Sequence, residues 1–183
     1  MPVLRVCLDL NIWCAAFLAD KAGRSNTSAQ RLVSAVRSGT SPLGSIQLII
    51  SWGMLNRLRK VFVVDWGMDT HMIDELIEAI VAYARLGAEE IQPQLTLGGT
   101  GLMPLRDTED AHVLDTAVAG FSDMLVTANM SDFLPRHIEV LTPKFLARFS
   151  HPKKSLLIAH PFTVRDWFEA GKIILPPSLG TSQ

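Results

Sequence analysis

Val3 to Leu8 is a run of apolar residues interrupted only by Arg5, and it leads straight into an aspartate, Asp9. A short run without polar and apolar alternation must be buried on both faces, as strands of parallel sheets are. Such a strand needs helices on each side, and the chain supplies them in alternation with further short apolar runs. Ile46 to Ile50, Ile91 to Leu97, Met124 to Thr127 and Ile138 to Leu141 read as strands. Between them, apolar spacing predicts helices over Asn11–Lys21, Ser28–Arg37, Trp52–Val63 and His71–Leu86. Another opens at Asp107 and carries Val113, Leu114, Ala117, Val118 and Phe121.

Punctuation supports these bounds. Ser51 is placed to cap the third helix, Gly39 and Gly87 to end their helices, and Gly98-Gly99-Thr100-Gly101 to form a flexible loop. Thr142-Pro143 predicts a helix start, running through Phe149. After Ser150 the pattern weakens to a short helix near Val164–Ala170 and a loose tail from Leu175. The expected fold is α/β, a doubly wound, largely parallel central sheet flanked by helices. Residues 1–149 are expected to form the domain and residues 150–183 a C-terminal extension.

Composition narrows the function classes. Hydrophobic residues make up 48% and charged residues 19%, which excludes a disordered chain. The formal net charge is −1, so any nucleic-acid-binding surface has to be local. The 2 cysteines, Cys7 and Cys14, lie in apolar surroundings without metal-ligand spacing and read as reduced core residues of a cytosolic protein. The N-terminus lacks the pattern of a targeting segment, and no apolar run approaches the roughly 18 to 20 residues of a membrane span. A cytoplasmic protein without a membrane partner is expected.

In a doubly wound sheet, ligands bind beyond the carboxyl ends of the strands. Asp9 stands at such an end, where an aspartate is costly unless compensated by a cation or by the amides of the helix it would cap. Asp110, three residues after Asp107, fits a capping arrangement as well as a ligand. Asp115 lies about 140° around the helix from Asp110 and outside the apolar stripe, so a solvated position is expected. Asn129 and Asp132 follow the Met124–Thr127 strand, and Asn56 lies a turn into the third helix. Carboxylates converging at one edge suit a hard divalent cation such as magnesium or manganese. Arg57, Arg59 and Lys60 share the helix with Asn56 and are candidates for phosphate contacts, against a simple solvated face. Arg148 with Lys153-Lys154 reads as a solvated basic cluster. His112 reads as a surface or packing residue, and Trp52, Phe62 and Trp66 as core or interface.

In this order the blocks resemble the PIN domain family, over roughly residues 3 to 149. The opening Val-Cys-Leu-Asp-Leu-Asn-Ile-Trp is similar to that family's first strand with its Asp-x-Asn, here Asp9 and Asn11. Ile49-Ile50-Ser51 and the helix after it resemble the second block, with Asn56 where a glutamate normally stands. Asp107-Thr108-Glu109-Asp110 resembles the third block, and Asp123 to Asn129 followed by Asp132-Phe133 the fourth. Leu141 to Leu146 looks like the closing strand and helix of one toxin-like branch.

The resemblance implies a metal-dependent endoribonuclease, often the toxin of a toxin–antitoxin pair, with an RNA substrate, an antitoxin partner and a homodimeric state. It implies Asp9, Asp110, Asn129 and Asp132 as catalytic positions, with Asp9, Asp110 and Asp132 as ligands of Mg2+ or Mn2+. Asn11 would orient a carboxylate or water, and Asn56, an amide without charge, would weaken the metal site. A PIN-like binding module without catalysis is the alternative. A phosphatase-like or receiver-like domain fits less well, because the Asp-x-Asn start lacks a second carboxylate.

Overall fold

The computed structural model describes residues 3–95, 108–133, 138–151 and 154–177, with the backbone alone for 108–110 and 151. Its centre is a seven-stranded sheet in the order β2-β3-β1-β4-β7-β6-β5. The strands are β1 (Leu4–Leu8), β2 (Thr40–Ser41), β3 (Gly44–Ile49), β4 (Met124–Val126), β5 (Ile138–Thr142), β6 (Leu146–His151) and β7 (Lys154–Ala159). The helices are α1 (Leu10–Lys21), α2 (Ser28–Ser38), α3 (Trp52–Lys60), α4 (Thr70–Arg85), α5 (Thr108–Ala119) and α6 (Pro161–Ala170).

The four strands β3, β1, β4 and β7 run parallel and hold the core, while β2, β6 and β5 extend the sheet antiparallel. Val6, Cys7, Leu8, Leu48, Leu125, Val126 and Ile158 are almost wholly removed from water, as the unbroken apolar runs require. The chain leaves β1 for β3 on one side by α1 and α2, then crosses back to β4 on the other. The reversal of strand order therefore falls between β1 and β4. Burial pushes the Cys14 thiol up to about 11 and the Cys7 thiol higher still, which keeps both protonated near neutral pH. Among the described residues, no helix is long and apolar enough to cross a membrane.

Local chemistry accounts for the helix bounds. Thr27 and Gln30 form a capping box at α2, with the Gln30 amide donating to Thr27 Oγ1 at 3.2 Å and the Thr27 amide to Gln30 Oε1 at 2.9 Å. Gly39 ends α2 at φ 69°, in the left-handed region. Gly87 follows α4 for a different reason. A Cβ there would come within 2.5 Å of Gln47 Oε1. Gln47 is fully buried in β3, donates to the Ala84 carbonyl at 2.9 Å and accepts from the Glu89 amide at 2.8 Å, so it ties the end of α4 to the sheet.

Four expectations change. Ile91–Leu97 does not form a strand within the described residues, which reach Leu95; only Gln94 bridges, to Ser51. Pro93 removes a ladder donor there. The Trp52–Val63 helix stops at Lys60 and loosens into a π-helical turn over Val61–Asp65, which seats the fully buried Phe62 against Phe17 and Trp66. The Ser41–Gly44 loop is a small hairpin, β2 with β3. The helix expected from Thr142-Pro143 through Phe149 is instead a turn and strand β6. Lys144 takes φ 66° in that turn, and β6 pairs with β7 from Leu146↔Ala159 to His151↔Lys154. Pairing between segments distant in pattern overrides the local helix signal. The segment after Ser150 thus supplies an inner strand of the sheet and a helix, α6, that packs on α2. The loop at residues 98–101 and Asp107 lie outside the described residues.

His160 caps α6, its Nδ1 accepting from the Phe162 amide at 3.2 Å, with Pro161 at the first helical position. Only a ring unprotonated at Nδ1 can accept. Burial holds the His160 pKa below the free-imidazole value. The unfolded chain therefore binds the proton more readily, and the cap's contribution is whole above about pH 6.5 and lost as pH falls below it. In urea titrations, wild type is expected to lose more stability than His160→Asn between about pH 7.5 and pH 5. Equal losses would show that this imidazole is not the titrating cap.

Candidate active site

Asp9 stands one residue past β1 and is 5% exposed. It is the N-cap of α1, accepting from the Leu10 amide at 2.6 Å on Oδ1. On Oδ2 it accepts from Thr127 Oγ1 at 2.7 Å and Asn11 Nδ2 at 2.6 Å. Asp9 thus caps α1 and at the same time is bonded to the residue that follows β4. Burial pushes its carboxyl above the usual range, the bonds from Thr127 and Leu10 oppose that, and the charge of Asp132 adds to it. A carboxylate offers about four lone-pair sites, and the three bonds leave one on Oδ1.

The opposite wall comes from the end of β4. The Asp9 amide donates to the Val126 carbonyl at 2.9 Å, which locks the two strand ends together. Thr127, fully buried, is the hub between them. Besides donating to Asp9, it accepts from the Asn129 amide at 3.0 Å and lies 3.2 Å from Asn11 Nδ2. Asn11 Oδ1 accepts in turn from the Ala128 amide at 3.2 Å. Asn129 Nδ2 donates to Asp132 Oδ2, and Ser131 Oγ bonds both residues. Asp9, Asn11, Asn129 and Asp132 thus form one connected network. Thr127 had been read only as a strand end; a hydroxyl closing a run of Met, Leu and Val was the available signal.

Other candidates are placed as follows. Asp110 lies in the first turn of α5, and its side chain is outside the described residues. Among the described residues, no group of three or more His, Cys, Asp or Glu side chains could hold a metal ion. Asp115 is 9% exposed, not solvated as expected, on a helix that packs against β1, β4 and α3. Asn56 is exposed on α3, which packs against α5 and α1. Arg59 is held by Asp74 of α4 through Nε at 2.5 Å and Nη2 at 3.2 Å, Arg57 is half-buried and Lys60 is exposed. Lys154 pairs with Asp123 and Arg148 with Glu139. A cavity of about 750 Å³ opens elsewhere, beside Trp13, Gln30 and Tyr83, and none of the edge carboxylates lines it.

Acidic and amide side chains stand at the point of strand reversal, and the family model of the PIN domain matches residues 5–131. The chain belongs to the PIN domain family. PIN domains are generally nucleases, which gives the acidic edge its chemical context. No curated protein and no solved structure matches the chain.

Removing the Thr127 hydroxyl should leave a buried carboxylate oxygen short of a donor. Thr127→Val is expected to lower the unfolding free energy by about 1–3 kcal/mol. Unchanged urea unfolding would mean that Asp9 is satisfied without Thr127.

Proposed function

We propose that this PIN domain is a metal-dependent endoribonuclease, acting as the toxin of a toxin–antitoxin pair. The observation that carries the nuclease reading is the buried Asp9 carboxylate beside Asp132 at the strand reversal. The charge of Asp132 adds to the cost of the buried Asp9 carboxylate, and a cation shared by the two would relieve it. The donors are hard oxygens, and Asp9 keeps a free lone-pair site, so the residues fit Mg2+ or Mn2+. Asp9, Asp110 and Asp132 would hold the ion, with Asn129 completing the polar wall. When bound, such an ion lowers the pKa of a water and stabilises the leaving oxygen of a phosphodiester.

The chain's own residues then have distinct tasks. Thr127 and Asn11 fix the Asp9 carboxylate in one orientation, as partners of metal ligands do. Asn129 holds Asp132 towards the same edge. Arg57, Arg59 and Lys60 are the candidates for phosphate contacts, Arg59 from its ion pair with Asp74. The toxin role, the antitoxin partner and a homodimer rest on the resemblance of the ordered blocks, and a cytoplasmic location on the reduced cysteines and the sequence pattern. The β5–β6 hairpin departs from the closing strand and helix of the toxin-like branch.

A second reading has its own support. Asn56 stands exposed where the family's glutamate would add a charge, and a binding module without catalysis would tolerate that. Incubation with RNA and manganese separates the two. Cleavage by wild type, reduced on the order of 100-fold or more in Asp9→Asn, is the expected result. Absence of cleavage with either metal favours the binding module. In a parallel metal titration, Asn56→Glu is expected to bind Mn2+ more tightly than wild type. Unchanged affinity places position 56 outside the site.

A further inference from the structure

We propose that Phe145, His160 and Phe162 form a surface that stacks on the bases of single-stranded RNA beside the acidic edge. The proposal rests on the nuclease reading and adds to it a surface that binds the substrate beside the acidic edge.

The placement follows from strand register. Leu8 pairs with Val126, Val126 with Ala159, and Ala159 with Leu146. One step beyond these partners, at the same edge, come Asp9, Thr127, His160 and Phe145. The backbone confirms the row, since the Thr127 amide donates to the Ala159 carbonyl at 3.1 Å and the His160 amide to the Phe145 carbonyl at 2.8 Å. With strands about 4.8 Å apart, the aromatic end lies roughly 10 to 14 Å from Asp9. That span is suited to nucleotides next to the one held at the acidic residues.

The surface has the properties of a stacking platform. Phe145 is 42% and Phe162 50% exposed, so two rings open to solvent lie side by side about His160. Both stand edge-on to His160, at 5.4 Å and 4.7 Å between ring centres. Their positions are fixed before any ligand arrives. The Phe145 carbonyl also accepts from Thr163 Oγ1 at 3.2 Å, and Phe162 opens α6 behind the His160 cap. Little ordering entropy then opposes binding. The Arg165 guanidinium, paired with Asp166 at 2.8 Å, lies 5.3 Å from the Phe162 ring centre, and exposed Lys144 occupies the turn before Phe145. Aromatic faces flanked by cations are how proteins take unpaired bases with their phosphates. A duplex keeps its bases stacked inside and offers no face to such rings. Continuity with the acidic edge favours a nucleic acid over a protein partner.

The test measures fluorescence anisotropy of a labelled single-stranded RNA in EDTA, so that binding is read without cleavage. Phe145→Ala/Phe162→Ala is expected to weaken binding by roughly 5- to 150-fold, the range for loss of base stacking. Phe145→Leu/Phe162→Leu, which keeps apolar bulk, should weaken it too, and Phe145→Trp/Phe162→Trp should preserve it. A duplex of the same sequence should bind less tightly and ignore all three changes. Wild-type affinity in the Ala and Leu variants overturns the proposal, even where Asp9-dependent cleavage is found. So does equal, Phe-dependent binding of duplex, or no binding of single strands by wild type. If sedimentation shows a dimer that the Leu variant loses while RNA affinity stays, the surface joins two copies of this chain and the proposal falls. Phe-dependent RNA binding without cleavage under manganese leaves the stacking surface standing and removes the nuclease reading.

Discussion

The Asp9 carboxylate sits where β1 meets α1, almost wholly out of water, and the architecture around it is arranged to make that tolerable. Burial alone would drive a carboxyl neutral. Here the Leu10 amide, the Thr127 hydroxyl and the Asn11 amide group each donate to it. Those donors come from two strand ends brought level by the parallel β1–β4 register. A slip of that register by one residue would carry Thr127 away from Asp9.

The same alignment continues past the family's matched region. β7 lies parallel to β4 on the far side, and β6 returns beside it. Because the ends of β1, β4 and β7 are level, whatever follows each strand is delivered to a single edge. β1 delivers Asp9, β4 delivers Thr127 and the Asn129–Asp132 turn, and β7 delivers His160 at the start of α6. The C-terminal segment is thus continuous with the sheet that carries the acidic residues.

Much of this was legible in the residues. The apolar run ending at Asp9, the Ser51 cap and the amphipathic α4 are local signals, and local signals survive folding when packing agrees with them. Asp9, Asn11, Asn129 and Asp132 could be singled out because polar residues directly after buried strands have few inexpensive explanations. Thr127 escaped, since a threonine at a strand end is ordinary until its partner is known. Asp115 was misjudged because helical angle relative to Asp110 says nothing about which face meets the sheet. Thr142-Pro143 resembles a helix start, but the segment lies opposite a strand with open hydrogen-bonding groups, and pairing took precedence.

The sequence by itself determined that buried strands alternate with helices, that the chain carries the ordered blocks of a PIN domain, and that an asparagine stands where the second block normally has an acid. These are properties of local pattern, and they persist whatever the rest of the chain does. Only the tertiary structure decided that Thr127 holds Asp9, that Arg59 is taken by Asp74, and that residues beyond Ser150 enter the sheet and bring aromatic rings level with the acids. The first and third depend on the register between strands far apart in the chain, and the Arg59–Asp74 pair on the packing of α3 against α4. Register is set by the joint burial of many side chains, which no single segment records.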